Sequence, residues 1–164
     1  MARTMTAVEG YASDGVVPIG GYGALIGLFS GAVAGFSWWM RRSGRELPER
    51  IEATDLALVA LATHKASRLL TKDRVTSAVR APFTRRQCDG GPGEVEEQAR
   101  GSGVRLAVGQ LLVCPYCIGM WIAAGFAGGL AVMPRPTRWV ASVLSAVCAS
   151  DVLQIAYKKL EDTL

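Results

Sequence analysis

The apolar positions of this chain are gathered into blocks instead of being spaced for the buried face of a water-soluble helix. The first block, Gly20 to Met40, is 21 residues without a charged side chain. As a helix it reaches about 31 Å at ~1.5 Å per residue, enough to cross the hydrocarbon of a bilayer. Trp38, Trp39, Arg41 and Arg42 close it with an aromatic anchor and a basic stop, while the preceding tail offers only Arg3 against Glu9 and Asp14. This asymmetry predicts an external N-terminus. Ala32-Val33-Ala34 resembles a processing site, but no basic segment precedes the block and the apolar run continues beyond it, so a retained helix is expected.

The second block, Leu106 to Met133, is 28 residues long and contains Pro115. Proline removes a backbone donor and clashes with the preceding turn, so it kinks the helix or ends a short interfacial piece. The third block runs from Trp139 to Tyr157 and is followed by Lys158 and Lys159, with Pro134-Arg135-Pro136-Thr137 as the turn between the two. A transmembrane hairpin over about 106–133 and 139–157 with a cytoplasmic C-terminus is predicted, although Arg135 and Arg138 fall on its outer side.

Between the first and second blocks, residues 41–105 carry 13 Lys or Arg against 9 Asp or Glu, which suits a cytoplasmic loop. Within it, residues 55–70 begin apolar, but His64, Lys65 and Arg68 arrive too early for a span, so an interfacial or re-entrant amphipathic helix is expected. The glycines and Pro92 between 87 and 103 predict a flexible linker. The fold class that follows is all-α: an integral membrane helical bundle of three transmembrane helices plus that interfacial helix. Its parts are an external tail and first helix (1–40), a basic cytoplasmic loop (41–105) and the hairpin (106–164).

Charge and cysteine usage refine this reading. The net charge of +4 comes from residues that flank apolar segments and do not line one stripe, which argues for lipid, and against nucleic acid, as the partner. Four cysteines are too few and scattered for a small secreted disulfide scaffold, so reduced thiols are the default.

Three sets of residues stand out. Gly23, Gly27, Gly31 and Gly35 recur every fourth position, leaving one face of the first helix without side chains, and Gly125 and Gly129 repeat the spacing later. Small-xxx-small faces let membrane helices approach closely, so internal packing, a homo-oligomer or a partner membrane protein is expected. Cys114-Pro115-Tyr116-Cys117 places two thiols where they could close a disulfide or donate to a metal. The tetrapeptide matches the glutaredoxin motif, but it leads into an apolar span and lacks the soluble βαβ setting of that fold. A metal would need two further ligands from His64, Cys88 or Cys148 at unsuitable spacings, and cysteine also serves as a small packing residue, so no metal or cofactor is assigned. Asp151 and Gln154 are polar inside the third block, where an ionisable group costs at least ~2.5 kcal/mol and normally has a partner. Helical spacing allows a cluster of Cys114, Cys117, Cys148 and Asp151, or pairing of Asp151 with a Lys or Arg of the loop.

The segments Ala53-Thr54-Asp55, Lys65 to Leu70, Asp73-Arg74-Val75, Arg80 to Phe83 and Leu112 to Trp121 together resemble the small bacterial and phage integral membrane protein family DUF1360, the YjcA-like sporulation membrane proteins. The resemblance covers roughly residues 53 to 157, and its sharpest element is Cys114 and Cys117 followed by Gly119 and Trp121. It implies an integral membrane protein and supplies no activity, cofactor or catalytic residue; the glycine-rich helix before residue 53 departs from the shorter members. With one histidine and no phosphate-binding loop, no catalytic set is readable. The expectation is a non-enzymatic multi-pass module of the cytoplasmic membrane whose basic loop meets anionic lipid. A holin-like lysis protein and a membrane thiol redox or metal-binding protein are the alternatives.

Overall fold

A computed structural model describes residues 17–163; the expected external tail lies outside the described residues. The chain is mostly helical, with α1 (Ile19–Arg42), α2 (Ala53–Thr71), α3 (Ser77–Arg80), β1 (Thr84–Asp89), β2 (Val95–Ala99), α4 (Gly103–Val113), α5 (Pro115–Val132) and α6 (Pro134–Glu161). By length and composition, α1, α5 and α6 are long and apolar enough to cross a membrane. Their outward faces carry exposed Ile26 and Leu28 on α1, Met120 on α5, and Val152, Leu153 and Ile155 on α6, side chains a water-soluble fold would bury.

Two features differ from the sequence reading. The first is α2, expected as an interfacial or re-entrant amphipathic helix. It packs within the bundle, with its most extensive contacts to α6 and α5, while Leu56 and Leu61 on its other side are exposed. Asp55, Leu58 and Lys65 meet Arg138, Ser145 and Asp151 in that order, so α2 and α6 run parallel. Of the polar groups that make the apolar run of α2 too short, Lys65 finds its partner on α6 and Arg68 on the hairpin, while His64 stays exposed. The interface is built from small residues: Ala62 is fully buried on α2, and Ala141, Ser145 and Cys148 are buried at helical spacing on α6. Their size lets the Ser145 hydroxyl reach the Leu58 carbonyl at 2.9 Å.

The second difference is an antiparallel β-hairpin, which corrects both the all-α class and the flexible linker over 87–103. Register runs from Thr84 opposite Ala99 to Asp89 opposite Val95, with an irregularity between Arg86 and Cys88. Gly93, at φ +76°, makes the turn with a conformation that L side chains resist. The strands are charged and poor in β-branched residues, so propensity hides them. Docking on the end of α2 stabilises them: the Val95 amide donates to the Lys72 carbonyl at 2.8 Å, and Arg74 N donates to the Gly93 carbonyl at 2.9 Å.

These contacts set the path of the chain. At the start of α1, a Cβ at Gly21 would lie 2.7 Å from Ala107 Cβ of α4, and α4 in turn packs on the hairpin. Further along, Phe29 meets Trp121 and Phe36 meets Gly128, so α1 and α5 run parallel, away from the hairpin. Helices α2 and α6 return toward it. Residues 41–105 therefore do not lie on one side as a single loop. The connection 43–52 sits at the far end of the bundle and the hairpin at the other.

Candidate functional site

The junction between α4 and α5 is set by Pro115. The residue before a proline is pushed out of the helical region, and Cys114 takes φ −110°, ψ 103°, ending α4 while Pro115 opens α5 at its first turn. Of the two outcomes expected at Pro115, a kink or the end of a short piece, the second is found: 106–133 is two helices. Cys114 is the N-cap of α5, its sulfur accepting from the Cys117 amide at 3.2 Å. The two cysteines form a disulfide, with Cα atoms 5.3 Å apart and Cys117 exposed. The expectation of four reduced thiols is corrected here; Cys88 and Cys148 are free. The other two motif residues set the packing of α5: Gly119 faces Thr63 of α2, and the Trp121 ring meets Phe29 edge-on at 5.0 Å. Thr63 Oγ1 has no partner, alone among buried side-chain polar atoms of the described residues.

Asp151 does not join the cysteines. Its carboxylate takes the Lys65 ammonium at 2.6 Å, and among the described residues no three His, Cys, Asp or Glu side chains converge as metal ligands would. Gln154 points outward and donates to Ser150 Oγ at 3.3 Å. At the other end of the same interface, Arg138 grips Asp55 with two hydrogen bonds of 2.8 Å, a forked geometry that fixes register as well as charge. A pair at each end thus ties α2 to α6.

The glycines divide by environment. A Cβ at Gly23, Gly27, Gly31, Gly35 or Gly125 would meet nothing within 4 Å among the described residues of one copy of the chain. At about 100° per residue, Gly27 and Gly31 lie across α1 from Phe29 and Phe36, which face α5, and Gly35 lies on the flank between. Gly129 lies against Thr137, within the α5–α6 turn. The tightest approaches are at glycines the sequence did not single out: Gly21 against α4, and Gly109, where a Cβ would come within 2.5 Å of the Phe83 carbonyl oxygen. Between α1 and α5 an open apolar groove of about 810 Å³, lined by Phe29, Phe36, Trp121, Gly128 and Leu47, runs along the bundle.

The hairpin holds a site the sequence reading missed. Arg80 and Glu97 form an ion pair with side chains 0% and 4% exposed. The Arg80 guanidinium donates to both Glu97 oxygens, to the Leu70 and Asp73 carbonyls and to the Thr76 and Ser77 hydroxyls. Thr84 Oγ1 donates to Glu97 as well, at 2.6 Å. Burial pushes the Glu97 carboxyl up, but the hydrogen bonds from Arg80 and Thr84 and the Arg80 charge outweigh it, holding the group below its ordinary 4.5. Around this knot Arg68 pairs with Glu94 and Lys72 with Glu96. The only signal in the sequence was the alternation of cations before the hairpin with Glu94, Glu96 and Glu97 inside it.

The fold thus defines a small helical protein with three helices suited to a membrane and a charged hairpin cap, and its described groups form no recognisable catalytic constellation. The chain belongs to the DUF1360 family, proteins of unknown function, whose sequence profile matches residues 58–157. It is 27% identical over 112 residues to a sporulation protein, YjcA, of Bacillus subtilis (strain 168), an alignment that covers 66% of this chain and 95% of that protein. No solved structure matches it.

Proposed function

We propose that this protein is a non-enzymatic multi-pass membrane module that holds a rigid basic cap against the cytoplasmic face of the bilayer. The observation that carries this reading is the placement of α2. Its charged groups are paired across the helix interface at Asp55–Arg138 and Lys65–Asp151, as polar residues at membrane depth require, while α1, α5 and α6 turn apolar faces outward.

With α2 at bundle depth, the chain makes four passes and both described termini fall at the hairpin end. Eleven of the lysines and arginines lie toward that end, from Lys65 to Arg105 and at Lys158 and Lys159, against six at the far end. The positive-inside bias then favours a cytoplasmic hairpin with the start of α1 inside, in place of the external N-terminus read from Arg41 and Arg42 alone. The open glycine face of α1 is where a second copy or a partner helix would pack. The test is cysteine accessibility in intact cells, in a background retaining only one introduced thiol. Gln87→Cys should resist an impermeant maleimide and Glu49→Cys should react. The reverse pattern would overturn the orientation, and reaction at both positions would overturn the four-pass path.

A second reading is favoured by the Cys114–Cys117 disulfide at the hairpin end of α5, with Cys117 exposed. A disulfide facing a reducing compartment is reversible, not structural. The chemistry would be thiol–disulfide exchange: the two thiols give up two protons and two electrons, and a partner's disulfide is reduced to two thiols. A Cys114→Ser and Cys117→Ser pair that leaves the protein's cellular phenotype unchanged would eliminate this role.

A further inference from the structure

The large apolar side chains exposed on α1, α5 and α6 are accounted for by lipid, but two on the cap are not. Val75 is 87% exposed and Val79 63%, with Ala78, Ala81 and Pro82 exposed beside them, so the short α3 turn and its flanks present an apolar knuckle. The knuckle is fixed from behind. Arg80, buried beneath it, is hydrogen-bonded to Leu70, Asp73, Thr76, Ser77 and Glu97, which leaves the turn no freedom to fold Val75 or Val79 inward.

Its rim is cationic. Arg100 donates to the Ala81 carbonyl at 2.8 Å and Arg105 to the Pro82 carbonyl at 2.6 Å, which brings two exposed guanidinium groups to the edge of the apolar turn. The carboxylates of the hairpin are already taken: Asp89 by Arg74 and Arg86, Glu94 by Arg68, Glu96 by Lys72, Glu97 by Arg80. Of the lysines and arginines between 65 and 105, Arg85, Arg100 and Arg105 are the ones with no carboxylate partner among the described residues. The height is also fixed, because Arg105 is in the first turn of α4 and Ala107, two residues on, packs against Gly21 in the first turn of α1. The knuckle therefore sits level with the end of a membrane-length helix, at headgroup depth.

We propose that Val75, Val79 and Pro82 form an interfacial anchor that enters the headgroup–acyl boundary of an anionic membrane, with Arg100 and Arg105 binding lipid phosphates. Apolar side chains flanked by cations are what such a boundary retains; of the carboxylates beside the turn, Asp73 alone has no basic partner, and it accepts from the Val75 amide at 2.9 Å. The proposal rests on the reading that α1, α5 and α6 span a bilayer.

The test uses the full chain with Cys88→Ser and Cys148→Ser, spin-labelled at Val79→Cys or, in a second variant, at Val75→Cys. Each is reconstituted into vesicles of phosphatidylglycerol with phosphatidylcholine, or of phosphatidylcholine alone. In the anionic vesicles the label should be severalfold more accessible to oxygen than to a water-soluble nickel complex, while a label at Gln87→Cys stays in water. R100Q with R105Q should shift label 79 toward water, and Lys at both positions should retain the buried signal. Water accessibility at 75 and 79 in anionic vesicles, the result expected if the knuckle serves an acidic protein partner, overturns the proposal. So does burial that is indifferent to both lipid charge and R100Q/R105Q. A label at Leu28→Cys separates the two failures: lipid at 28 with water at 79 defeats the anchor alone, and water at 28 defeats the membrane reading together with it.

Discussion

Lys65 and Asp151 meet at 2.6 Å between α2 and α6, each satisfying a charge that would otherwise exclude its helix from an apolar bundle. With Asp55 and Arg138 at the opposite end, the pair makes α2 a partner of α6 along most of its length. Removing one member leaves the other uncompensated, which costs more than the pair is worth.

Asp151→Asn and Lys65→Met should each lower the thermal midpoint in detergent. The exchanged pair Lys65→Asp with Asp151→Lys should recover more than half of the loss, with a coupling of roughly 0.5–3 kcal/mol. Additive losses in the double variant would mean that the two side chains do not meet.

The Arg80–Glu97 pair is fully desolvated, so Glu97→Gln or Arg80→Met should destabilise the cap by about 3–5 kcal/mol. Hydrogen exchange across Thr84–Ala99 would accelerate, while exchange in the middle of α5 would stay unchanged. Protection of the hairpin equal to that of the native chain would contradict the buried pair.

The same carboxyl sets a pH dependence. Its folded value lies below the ordinary 4.5, so its contribution is complete above that value and is lost as pH falls through the lower folded value. Hairpin amides corrected for intrinsic exchange should keep constant protection from pH 7 to about 5 and lose it only on further acidification. Glu97→Gln should remove that acid-dependent part, leaving a weaker cap with a flatter profile.

Glycine substitutions should separate contact from spacing. Gly109→Ala places a methyl within 2.5 Å of the Phe83 carbonyl oxygen, a clash with backbone, and should disrupt the seating of α4 on the hairpin. Gly31→Ala meets nothing among the described residues. It should leave the monomer's thermal midpoint essentially unchanged and act only on self-association, read by crosslinking in bilayers.

Alkylation counts the thiols. Under denaturing conditions without reductant two cysteines should be modified, Cys88 and Cys148, and with reductant all four. Four adducts without reductant would show that Cys114 and Cys117 do not pair.

The sequence by itself determined which segments suit a membrane, because the length of an uninterrupted apolar run and its Trp, Arg and Lys brackets are local quantities; α1, α5 and α6 fall within or close to those blocks. It also marked Pro115 as a break and Cys114 with Cys117 as a pair, since proline sterics and two-residue spacing act within one turn. Only the tertiary structure decided that α2 belongs inside the bundle, because Lys65 lies 86 residues from its partner and an isolated cation in a short apolar run reads as a surface signal. The hairpin was hidden for the same reason: its strands are held by Lys72, Arg68 and Arg80 reaching across from α2 and α3, not by any preference of their own residues. Charge pairing between distant segments thus set the path of the chain, and with it the end of the bundle at which each basic residue lies.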